Sequence, residues 1–78
     1  MSTVDTDLYY AERLTNSRNG NPRFKFATAD GHYVLSSDAS CGYEVTNYTN
    51  RIPYGGSLRV RLHLTRAGRV WNLEEIRA

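Results

Sequence analysis

Residues 57–65 constrain this chain more than any other stretch. Leu58, Val60, Leu62 and Leu64 fall on one parity, and Arg59, Arg61, His63 and Thr65 fall on the other. A strict period of two means an extended strand with one buried face and one wet face. Gly55-Gly56 precedes it, and Arg66-Ala67-Gly68-Arg69 turns it into a last strand over 70–76. There Trp71 and Leu73 share one parity while Val70 and Ile76 share the other, so a bulge or an early end is expected.

The first half is built the same way. Residues 8–14 read as a strand with Leu8, Tyr10 and Leu14 on one side. Residues 16–22 are dense in turn formers, with Asn19-Gly20 suited to positive φ. The next strand, 23–28, places Phe24 and Phe26 inward and Arg23 and Lys25 outward. Asp30-Gly31 signals a hairpin turn, and 32–36 form a third strand. From Ser37 to Asn50 the alternation stops. Asp38 or Ser40 can cap a helix of at most two turns there, and Pro53 forbids its continuation. The order is therefore three strands, a short helix, then two strands. It predicts a mostly β domain: a small five-stranded barrel, OB-like or alternatively SH3-like, with the helical insertion between strands 3 and 4.

A chain of 78 residues is one domain. It buries only about 60–65% of the surface its unfolded form exposes, so its core is thin. Six Tyr, two Phe and one Trp argue against disorder, except in the polar residues 1–6. Cys41 is the single cysteine and closes no intrachain disulfide. The N-terminus has no basic, apolar leader pattern, and no apolar run is long enough to span a bilayer. A cytoplasmic protein is expected.

The net charge of +2 conceals a basic middle. Between Arg13 and Arg69 stand nine basic residues against Asp30, Asp38 and Glu44. All but Lys25 are arginines, whose planar donor fork suits phosphate. Catalysis is not expected: a thiol nucleophile needs a base in reach, and nothing ties Cys41 to His32 or His63. No close ligand pairs suggest zinc, and no cofactor motif is present. The chemistry that fits is binding. Arg18, Arg23, Lys25, Arg59, Arg61, His63, Arg66 and Arg69 are the candidate contacts to a nucleic acid, single-stranded by preference. Tyr33 is a candidate stacking platform, with Tyr9 and Trp71 behind it. The alternative is a module that binds a host or phage protein, since Arg and Tyr also dominate such contacts. Self-association through a strand edge is a third option.

Three segments, 16–24 (NSRNGNPRF), 37–50 (SDASCGYEVTNYTN) and 64–73 (LTRAGRVWNL), resemble small uncharacterised proteins of actinobacterial bacteriophages, mycobacteriophages among them. The resemblance implies a phage protein made in the host bacterial cytoplasm. It implies no activity and no site residues.

Overall fold

The computed structural model describes residues 2–67 and 70–78. Its elements are β1 (Ser2–Leu14), β2 (Arg23–Thr28), β3 (Gly31–Ser37), α1 (Ala39–Thr49), β4 (Leu58–Ala67) and β5 (Val70–Arg77). The strands make one sheet closed in a ring, in the order β1-β2-β3-β5-β4, with β4 returning to β1. Every pairing is antiparallel except β3 with β5, which matches Leu35–Ser37 to Trp71–Leu73. The mostly β, five-stranded plan with one helix after the third strand agrees with the sequence reading.

Closure depends on β1. Residues 2–8 pair with β4 and residues 8–14 pair with β2, so Leu8 stands opposite both Leu58 and Thr28. The register shifts between Leu8 and Tyr10. The extra residue bends the strand, as a bulge does, and turns it from one partner to the other.

Two expectations are corrected here. Residues 2–6 are strand, not a disordered tail, while Met1 lies outside the described residues. Val4, Thr6 and Leu8 line up on the inner side with Leu62, Val60 and Leu58, and Thr3, Asp5 and Asp7 face out. The alternation is present but weakly apolar, so it was hidden. The second correction follows from the bulge. Tyr10 does not share a side with Leu8. It is 48% exposed while Leu8 is fully buried, and Leu14 is half-buried beside Arg23 on the outer face.

The core joins Leu8, Phe24, Phe26, Leu35, Val60, Leu62, Leu64, Leu73 and Ile76 from all five strands to Cys41 and Val45 of the helix. Leu58 packs at its edge. The broken parity of β5 is a second bulge. Leu73 lies opposite Leu64 and Glu75 opposite His63, so Glu74 has no opposite residue, and Leu73 and Ile76 both turn inward. The helix runs to 11 residues, three turns instead of two. Asp38 caps it, its Oδ1 accepting from the Cys41 amide at 2.8 Å. Gly42 lets the helix approach the 15–22 loop, since a methyl there would sit 3.0 Å from Pro22 Cγ. No helix among the described residues is long and apolar enough to cross a membrane.

Two substitutions test this core with opposite signs. Leu62 is fully buried, so Leu62→Ala should cost about 2–5 kcal/mol in denaturant unfolding. The Thr6 hydroxyl is buried and finds no hydrogen-bond partner among the described residues. Thr6→Val keeps the shape and removes the orphaned group, so stability should hold or rise, by up to about 1 kcal/mol. A loss in the second variant would show that the hydroxyl is satisfied in solution.

Candidate nucleic-acid interface

The outer surface of the ring divides into two sheets of different electrostatic character. On the first, Arg59, Arg61 and His63 project from β4 as the alternation predicts. The ring then places Asp7, Asp5 and Thr3 of β1 directly opposite them. Arg61 donates to both carboxylate oxygens of Asp5, at 2.7 and 3.1 Å, and Arg59 lies 3.6 Å from Asp7. The Thr3 hydroxyl is 3.2 Å from His63 Nδ1. On the other flank Arg77 stands opposite Arg61, Glu75 opposite His63, and Arg77 bonds Glu75. Three guanidiniums thus meet three carboxylates. The hydrogen bond from Arg61 holds the Asp5 carboxyl below its ordinary pKa against the opposing effect of desolvation, with the charges of Arg61, Arg59 and His63 adding to the lowering. These pairs are exposed and contribute little to stability. They do, however, neutralise the face that the sequence offered as the principal anion site.

The second sheet is formed by the C-terminal half of β1 with β2 and β3. Its outward residues fall in three cross-strand rows: Leu14, Arg23, Ser36; Glu12, Lys25, Val34; and Tyr10, Ala27, His32. Residues on one row are immediate neighbours. Lys25 makes no ion pair among the described residues, nor does Arg18 in the adjoining loop. Glu12 is the lone acid of the three rows.

The 15–22 loop overhangs this sheet and is internally braced. The Ser17 amide donates to the Asn21 carbonyl and the Gly20 amide to the Ser17 carbonyl, both at 2.9 Å. Gly20 takes φ +81°, a conformation most side chains resist. Arg13 donates to Asn16 Oδ1 at 2.6 Å while its guanidinium lies over the Phe24 ring. Between loop and sheet runs a groove of about 500 Å³, lined by Asn16, Ser17, Arg18, Arg23, Val34, Leu35 and Ser36.

The remaining candidates scatter. Tyr33 is on the inner side, opposite Phe26, and packs against the core; it is therefore not a surface platform. Trp71 packs there too, opposite Leu35, with the Arg66 guanidinium 5.2 Å from its ring centre. Arg69 lies outside the described residues. Tyr9, a reserve platform, is 48% exposed, and so is Tyr10, which sequence reasoning turned inward. Regular alternation from Leu8 gives no signal of this, because the register shifts between Leu8 and Tyr10.

Cys41 is buried in the core. Desolvation first, then the carboxylate of Asp38, push its thiol up to about 11, so it is protonated at neutral pH. Among the described residues no group of three His, Cys, Asp or Glu side chains is placed to hold a metal ion.

Two titrations check these assignments. By carboxyl NMR, Asp5 should titrate below the ordinary Asp midpoint and move up towards it in Arg61→Ala. Ionised Asp5 is favoured by the fold, so its small stabilisation is present above the ordinary pKa and is lost as pH falls through the lowered one. Cys41 has the opposite sign. Its neutral thiol stabilises the fold below pH about 9, and that contribution should drain as pH rises towards about 11. Iodoacetamide should therefore label Cys41 only as fast as the protein opens; rapid labelling of the folded protein would contradict its burial. Comparison with known protein families, with curated proteins and with solved structures finds no match to this chain.

Proposed function

We propose that this chain is a non-catalytic nucleic-acid-binding protein that holds its ligand on the outer sheet of β1, β2 and β3, beneath the 15–22 loop. One observation carries the reading. Arg59, Arg61 and Arg77 are matched by carboxylates, whereas Arg18, which lines a groove, and Lys25, in the row of Val34 that also lines it, make no ion pair among the described residues. An unmatched cationic surface attracts an anionic polymer and supplies phosphate contacts. The strand order and the helix between β3 and β4 support an OB-like reading of the ring. In such folds the face of strands 2 and 3 and the loop after strand 1 bind oligonucleotides. The resemblance to actinobacteriophage proteins supports a setting in the cytoplasm of an infected bacterium.

The test is the salt dependence of oligonucleotide binding. Affinity should fall steeply with salt, and Arg18→Ala and Lys25→Ala should each flatten the log–log slope by about 0.7–0.9. Arg59→Ala with Arg61→Ala should leave the slope nearly unchanged, because both guanidiniums already face carboxylates. A slope carried by Arg59 and Arg61 would place the ligand on the other sheet. No binding at about 50 mM salt, where non-specific phosphate contacts are strong, would leave the protein-interaction module as the reading to pursue.

A further inference from the structure

We infer that the bulge in β1 builds an aromatic platform for unstacked bases, so that the ligand of the proposed site is a single strand and not a duplex; the inference rests on that site being the nucleic-acid site. In a regular strand Tyr9 and Tyr10 would point to opposite sides, one into the core. The register shift between Leu8 and Tyr10 removes that alternation, and both rings are 48% exposed. Tyr10 then heads the row Tyr10, Ala27, His32, next to the row that carries Lys25. Ala27 is on the outer side of β2 yet only 5% exposed. A tyrosine on this surface therefore stands one row from a phosphate-binding cation. That juxtaposition suits a strand whose backbone follows Lys25 and Arg18 while its bases lie on rings. A duplex keeps its bases stacked on one another and presents phosphates alone. Tyr43 and Tyr54 are more exposed, but they stand on the helix and on the 50–57 loop.

Stacking and phosphate contact separate experimentally. Fluorescence anisotropy would compare a single-stranded oligonucleotide, an abasic strand of equal length and the matching duplex. Tyr9→Ala and Tyr10→Ala would be measured beside Tyr10→Phe, with thermal unfolding confirming that each remains folded. Truncating a ring that carries a base should weaken single-strand binding about 5- to 100-fold. The salt slope should stay the same, and Tyr10→Phe should retain most of the affinity. The abasic strand and the duplex should bind more weakly than the single strand and be indifferent to the tyrosine changes. Equal affinity for all three probes, or no loss on truncating either ring, would overturn the platform while leaving the phosphate reading standing. Failure of every probe to bind at low salt would instead overturn the nucleic-acid reading itself and, with it, this inference.

Discussion

Everything distinctive in this molecule depends on β1 having two partners. The ring closes here through one strand that pairs first with one neighbour and then with another. β1 does so at Leu8, which faces Leu58 and Thr28 together. The closure removes the open edges that a flat sheet would expose to other chains. It also gives a thin core its sealing side chains, since the fully buried Leu8 meets residues from both halves of the ring. The helix completes the enclosure, packing mainly on β5, β1 and β3 and contributing Cys41 and Val45.

The same strand sets the electrostatics. Asp5 and Asp7 look remote from the arginine-rich strand, and Asp5 and Arg61 are 56 residues apart. Pairing β1 with β4 brings them to hydrogen-bond distance. A basic middle segment is thus divided by the fold into a neutral sheet and a cationic one. Net charge along a sequence is a statement about composition. The surface potential that a polyanion meets depends on which strands become neighbours.

The sequence made the parity of β2 and β4 legible, because Phe24 and Phe26, and Leu58 to Leu64, alternate without interruption, whereas β3 offers no such run and its Tyr33 turns inward, not outward. It narrowed the helix cap to Asp38 or Ser40, of which the structure uses Asp38, and made the irregularity of β5 legible in the phase change between Leu73 and Ile76. It did not reveal who pairs with whom. Alternation is a local property, while pairing is decided by the closing of the whole ring. The two failures in β1 have this origin. Val4 and Thr6 are apolar enough to line a core only because Leu62 and Val60 lie opposite them. Tyr10 was assigned to the inner face by counting twos from Leu8, and a bulge is the one irregularity that such counting cannot cross. The candidate site was legible in part for the same reason. Arg23 and Lys25 were correctly turned outward, and the loop with Arg18 was correctly placed after the first strand. Arg59 and Arg61 were turned outward as well, but towards acids that only the pairing of β1 with β4 brings to them.

The bulge itself calls for a reason beyond closure. A strand can be bent by inserting a small or polar residue, which loses nothing by facing water. Here the residues at the bend are Tyr9 and Tyr10, half exposed in a domain short of apolar side chains to bury. Tyrosine buried against a neighbour would return far more through area removed from water than it does at this surface. Local rules of folding are obeyed elsewhere along the chain, in the capped helix, the Gly20 turn and the alternating strands. Departures from such consistency concentrate where a surface is kept for a partner. Tyr9 and Tyr10 at the bulge, with Tyr10 one row from Lys25, are a departure of the kind that the proposed platform requires. The braced 15–22 loop bears on the energetics of the proposed binding as well, because little of its chain entropy would remain to be lost on filling the groove.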